Sequence, residues 1–141
     1  MLTRNAASET VRRFYAAVDK KPLNRTMLSS FFAPDYKDHT RPVAPPNVPD
    51  SEVMLDLFDQ LNRGFPDAKH QILLLEPIAD GRAVVYWKFS GTHSGIFYDR
   101  RPSKHRVTIN GVDILQVKNG KFTQHWHVDE LSSLFAQLDG K

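Results

Sequence analysis

Residues 125–129 read His-Trp-His-Val-Asp, which sets two imidazoles and a carboxylate at every second position. On a regular strand His125, His127 and Asp129 leave from one side, the arrangement that acid/base chemistry or metal ligation would use. A His-x-His pair with no third ligand at a fixed spacing and no glycine-rich surroundings does not specify a metal, so no metal site is expected. Asp129 has a second available role. It stands just before Leu131, Leu134 and Phe135, whose helical spacing makes it a candidate N-cap, and the two roles are compatible at a strand end.

A second carboxylate, Asp113, lies within an aliphatic strand pattern. Asn119-Gly120 is a strong two-residue hairpin signal; a regular ladder from it pairs Lys118 with Lys121 and Asp113 with Trp126. One face then holds Val107, Ile109, Gly111, Asp113, Leu115, Phe122, Gln124, Trp126 and Val128, and the other holds His125, His127 and Asp129. Desolvation on the first face would raise the Asp113 pKa and make it a proton shuttle near neutrality. The alternative is an acid hydrogen-bonded to backbone or arginine for structural reasons.

Two more histidines are candidates for substrate contact: His39 in Asp38-His39-Thr40, and His93 in Gly91-Thr92-His93-Ser94-Gly95. Each either reaches over a pocket mouth or braces a loop. His70 and His105 read as ordinary strand-end residues. Tyr15 lies on the apolar stripe of a helix, where its hydroxyl needs a partner if buried. Phe58, Trp87 and Trp126 either line an apolar cavity or simply pack. The chain has no phosphate-binding glycine loop, dinucleotide fingerprint or Gly-x-Ser-x-Gly elbow, and by elimination any chemistry here is cofactor-free proton transfer.

Helices come first in the elements that position these groups. Val11, Phe14, Tyr15 and Val18 follow Ser8 at helical spacing, and that helix ends before Pro22. Asn24 caps a second helix carrying Leu28, Phe31 and Phe32, which Pro34 stops. A proline-rich loop from about Tyr36 to Pro49 is a plausible pocket rim. Asp50-Ser51 opens a third helix with Met54, Leu57, Phe58 and Leu61, which Gly64 ends. Strands follow at Lys69 to Ile78, Arg82 to about Thr92, Lys104 to Val117 and Lys121 to about Val128, before a short closing helix. This order predicts an α+β fold with helices packed on one face of a meandering antiparallel sheet. If the sheet curves, helices and concave face enclose a pocket.

Composition narrows the classes. The 141 residues are 40% hydrophobic and 25% charged, with no cysteine, which suits one globular domain over 1–141 and excludes thiolate metal sites, cysteine nucleophiles and disulfides. The net charge of +3 comes without a basic stripe interleaved with aromatics, so no nucleic-acid partner is expected. The longest aliphatic run is Ile72 to Leu75, so neither signal peptide nor membrane span is expected, and the default compartment is the cytoplasm.

The runs Ser90-Gly91-Thr92-His93-Ser94-Gly95, Asn110-Gly111-Val112-Asp113-Ile114 and Asn119-Gly120-Lys121-Phe122, with His125-Trp126, Asp129 and Leu134 to Leu138, resemble the SnoaL-like polyketide cyclases of the nuclear transport factor 2-like superfamily. Ala33-Pro34-Asp35-Tyr36 and Asp38-His39 echo the same family. The resemblance implies a cone-shaped α+β fold and an intramolecular aldol closure of a hydrophobic, polyketide-like substrate. Asp129 matches the acidic residue that acts as general acid/base, Asp113 and His127 stand as further proton-handling candidates, and no cofactor is implied. It also implies a homodimer paired through the exposed sheet face. Gln124, where an acid is frequent, and Arg101-Pro102-Ser103-Lys104 depart from the family pattern. The superfamily also contains isomerases, dehydratases and domains that only bind small molecules, so a non-catalytic binding domain is the alternative.

Overall fold

A computed structural model describes residues 5–140. Helix α1 (Ala6–Asp19) begins where the Asn5 side-chain oxygen accepts from the backbone N–H groups of Ala7 (2.9 Å) and Ser8 (3.2 Å), so the cap is Asn5 and not Ser8. Its stripe of Val11, Phe14, Tyr15 and Val18 is buried. Asn24 caps α2 (Arg25–Ser29) in the same way, through the Met27 N–H. Helix α3 (Asp50–Gly64) buries Met54, Leu55 and Phe58, and the short α4 (Leu131–Leu138) buries Leu134 and Leu138.

The second half forms β2 (Lys69–Ile78), β3 (Arg82–Thr92), β4 (Arg106–Lys118) and β5 (Lys121–Asp129), and together with β1 (Phe32–Asp38) they make a five-stranded sheet in the order β1-β5-β4-β3-β2. Helix α1 packs across β2, β3 and β4, α3 packs on β1, and α4 returns to β4. Alternate residues Ala83, Val85, Trp87 and Phe89 of β3 face the helices, as do Val107, Ile109, Asp113 and Leu115 of β4. At one end of this layer Phe14 meets Tyr15, Phe31, Phe32, Phe58 and Phe122 edge-on, with ring centroids 5.1–5.8 Å apart. Among the described residues no helix is long and apolar enough to cross a membrane.

Two expectations are corrected. Phe32 to Asp38 is a strand, not the end of a helix followed by a loop, and it lies parallel to β5 with Asp38 opposite His125. Pro34 is tolerated there because β1 is an edge strand, where a missing N–H breaks no ladder. The register of the β4/β5 hairpin also differs. Lys118 pairs with Lys121 and Val117 with Phe122, but Gln116 pairs with Gln124, leaving Thr123 as an extra residue. This bulge inverts the side-chain parity of the rest of β5. Asp113 therefore faces His127 instead of Trp126, and His125, His127 and Asp129 point to the buried side with Asp113, while Gln124, Trp126 and Val128 turn outward.

Gly111 pairs with Trp87 across β3/β4 and makes room for the indole. A Cβ at Gly111 would lie 2.1 Å from Trp87 Cζ2 and 2.6 Å from Cη2. Gly111→Ala is expected to push the indole off its position and destabilise the fold by about 1–3 kcal/mol, the usual cost of overpacking, read as a lowered Tm and altered tryptophan fluorescence. An unchanged Tm would show that the indole has room to move.

Candidate active site

The concave face of the sheet and helices α1, α3 and α4 enclose a pocket of ≈ 630 Å³, counted out to its open mouth. Phe14, Met54, Leu57, Phe58, Leu61 and Phe89 make much of its apolar wall. Its polar wall is Tyr15, His70, Asp113, His125, His127 and Asp129. Most of the polar groups come from β4 and β5, brought to one face by the bulge.

Asp113 sits at the bottom with its carboxylate fully spoken for. Oδ2 accepts from the Tyr15 hydroxyl and from Trp87 Nε1 (2.6 Å), and Oδ1 from His125 Nε2 (2.9 Å). Burial pushes its pKa up, but the hydrogen bonds from His125, Tyr15 and Trp87 outweigh burial and hold it below the usual carboxylate value. The expected upward shift is thus reversed: Asp113 is a fixed anion that orients its three donors. Burial and the Asp113 charge push the Tyr15 phenol well up, so it remains a donor. The other ring nitrogen of His125, Nδ1, meets the Tyr36 hydroxyl at 2.6 Å, so in the neutral ring Tyr36 donates to Nδ1 and Nε2 donates to Asp113.

His127 lies between two carboxylates. Its Nε2 is 2.9 Å from Asp38 Oδ2, and its Nδ1 is 3.7 Å from Asp129 Oδ2. Burial pushes its pKa down, but the facing Asp129 and Asp38 carboxylates overcome this and raise it to about 10, so the ring is an imidazolium at neutral pH. Asp38 is itself secured. It accepts from Thr40 N (2.9 Å) and Thr40 Oγ1 (3.1 Å), and its backbone N–H donates to Asp50 Oδ2 (2.8 Å) at the start of α3. Arg41 ties Asp50 to the proline-rich rim by donating to Val48 O and Pro45 O. Burial pushes the Asp38 pKa up, but the His127 and Thr40 hydrogen bonds bring it below the ordinary value. Asp38→Asn is accordingly expected to lower the His127 pKa by about one unit or more, measured by NMR titration of the ring; an unmoved pKa would place the proton's support elsewhere.

Asp129 is not the N-cap of α4, a position that Glu130 holds without a side-chain cap hydrogen bond. Oδ1 accepts from the Leu131 N–H (3.1 Å) at the start of α4, while Oδ2 faces His127. At 3.7 Å that ion pair is too long for a hydrogen bond. The His127 Nδ1–H and an Asp129 oxygen therefore stand side by side as an ion pair with no direct hydrogen bond between them.

Of the other candidates, Tyr15, Phe58 and Trp87 line the pocket and His39, His93 and Trp126 do not. The bulge turns Trp126 outward, where His39 stacks on it at 4.6 Å and Arg82 covers its ring at 5.1 Å. His39 also bonds Gln124 there. His93 is buried against Phe65 and accepts from Ser103 N at 3.1 Å, bracing the loop before β4. Behind the pocket's histidines stand two groups that spacing did not single out, Tyr36 against His125 and Asp38 against His127. Pro34 masked the strand that carries Tyr36 and Asp38; with Lys37 between them, the structure buries both on one side of β1. Asp38, His125 and His127 offer one ligand atom each within 4.8 Å of one another, the third ligand that the linear spacing lacked. Each ring nitrogen of His125, Nε2 of His127 and both Asp38 oxygens already have protein partners, which a cation would have to displace.

Residues 9–138 match the family model of the SnoaL-like polyketide cyclases. The chain belongs to this family. The SnoaL-like fold is shared with TsrD from Streptomyces laurentii (24% identity, 98% of each chain, TM-score 0.77). It is shared also with IdmH from Streptomyces antibioticus (24% identity, 94% of this chain and 98% of that one, TM-score 0.75). AclR from Streptomyces galilaeus, provisionally described as a hydroxylase, is similar too (20% identity, 96% of this chain and 82% of that one, TM-score 0.79). No curated protein sequence matches the chain. Membership supports a polyketide cyclase-type function, and the fold by itself fixes neither reaction nor substrate.

Proposed function

We propose that this SnoaL-like protein is an acid/base enzyme needing no cofactor, which acts on a polyketide-like or other hydrophobic carbonyl compound by aldol cyclisation, dehydration or isomerisation. The observation that carries this reading is the ion pair of His127 Nδ1 and Asp129 Oδ2, 3.7 Å apart without a direct hydrogen bond on the wall of an apolar pocket. A carbonyl oxygen placed against the His127 N–H accepts a charge-assisted hydrogen bond, which acidifies the neighbouring methylene. Asp129 takes the methylene proton, and the electron pair of the broken C–H bond passes into the enolate held by His127. In a cyclisation the enolate carbon attacks a second carbonyl of the same molecule, and the protonated Asp129 returns its proton to the new alkoxide. Asp113 holds the floor of the site by fixing Tyr15, Trp87 and His125.

The test is deuterium uptake by 2-tetralone in D₂O, an aromatic ketone with activated methylenes. The expected result is uptake faster than in buffer and saturable in ketone. Saturable binding with no acceleration would instead favour the non-catalytic binding domain. The cross-strand row Leu74-Tyr86-Val112-Val128 leaves apolar side chains exposed on the outer sheet face and supports a homodimer paired there, to be read by sedimentation.

A further inference from the structure

We infer that His70, backed by Asp19, is a second proton acceptor in the pocket, remote from Asp129. Asp19 is the last residue of α1 and clamps His70 at two points, accepting from its backbone N–H on Oδ2 (2.6 Å) and facing ring Nδ1 with Oδ1 (2.8 Å). The carboxylate accepts only if Nδ1 carries the hydrogen. In the neutral ring this fixes the tautomer and leaves the lone pair on Nε2, at the far edge of the ring. Tyr15, Trp87 and Phe89 hold the ring on its other sides at centroid distances of 5.2–5.4 Å.

Nε2 has no hydrogen-bond partner among the described residues. Nor is it one of the fully buried unpaired side-chain atoms among the described residues, which are Ser8 Oγ, Arg82 Nε and His93 Nε2. His70 lines the pocket, and Nε2 is the ring nitrogen that no described protein group occupies. The other imidazoles of the pocket lack this. His127 is protonated, and both nitrogens of His125 are engaged.

His70 stands on β2, three strand spacings from β5 in the sheet order, roughly 14 Å along the sheet. The two acceptors therefore serve different parts of one substrate. Resting on the proposed acid/base function, this selects carbonyl compounds with two separated oxygen functions, one at His127/Asp129 and another, with its own removable proton, at His70.

Diethyl pyrocarbonate tests this without a known substrate, because it acylates an unprotonated, accessible imidazole nitrogen. The nitrogen lone pair attacks a carbonyl carbon, the bond to the ethyl carbonate group breaks, and the ring's other proton leaves with that group as ethanol and carbon dioxide. In the full chain at pH 7, with sites mapped by peptide mass spectrometry, His70 is expected to react at least about tenfold faster than sealed His93, and His127 to stay unmodified. Asp19→Asn, which no longer fixes the tautomer, is expected to slow modification of His70 by about threefold while leaving exposed His39 and His105 unchanged. His70 protected as well as His93, or indifferent to Asp19→Asn, overturns the inference. Protection of His70 with intact 2-tetralone exchange would leave the proposed function standing, and modification of His70 without any exchange would do the reverse.

Discussion

Replacing Asp129 by Asn is expected to cut the rate of deuterium uptake by 2-tetralone about 10²–10⁴-fold, the usual contribution of a positioned acid/base group. The fold should survive. Oδ1 of Asp129 accepts from the Leu131 N–H, and an asparagine oxygen can accept the same bond, so α4 keeps its start. What is lost is the carboxylate beside His127 Nδ1. Because KM reflects the apolar wall and the His127 hydrogen bond, the drop should fall on kcat. A variant exchanging as fast as the parent, with Tm unchanged, would remove Asp129 from the chemistry.

The largest stability effect is expected at Asp113. Asp113→Ala leaves the Tyr15 hydroxyl, Trp87 Nε1 and His125 Nε2 without their acceptor at the buried floor of the pocket, and losing one partner of such a buried charged network costs about 3–5 kcal/mol. Thermal unfolding reads this as a fall in Tm of roughly 10 °C or more. A loss under about 1 kcal/mol would mean that the three donors find other partners.

The same network sets a pH dependence. Asp113 and Asp38 have folded pKa values below their ordinary ones, so their stabilisation is present above the unfolded value of about 3.9 and fades as pH falls through the folded values. His127 has the opposite sign. Its folded pKa of about 10 lies above the ordinary 6.5, so its contribution is complete below 6.5 and is lost as pH rises through 10. Tm is therefore expected to be highest between about pH 4 and 6.5, with an alkaline decline that Asp38→Asn reduces.

Much of this architecture was legible from residue patterns. The limits of β2 and β3 follow from turn residues at 79–81 and β-branched and aromatic runs on either side. Helix α3 follows from Met54, Phe58 and Leu61 at helical spacing. The site was legible in its residue types and not in its geometry. Asp113 and the His-x-His-x-Asp run were visible as candidates, but a one-residue bulge at Thr123, with no glycine or proline to announce it, decides which face they share. The Asp113 pKa could not be read from burial alone, because its sign depends on Tyr15, Trp87 and His125, which lie on three other elements. His70 looked ordinary because its partner, Asp19, is 51 residues away in the chain.

The most direct test of the central claim is a crystal structure with 2-naphthol, a planar stand-in for the enol of 2-tetralone. The naphthol ring is expected against Phe58 and Trp87, with its oxygen within hydrogen-bond distance of His127 Nδ1 and an edge carbon facing Asp129. Naphthol bound with its oxygen turned away from both residues, or an Asp129 closed onto His127 with no room between them, would contradict the central claim.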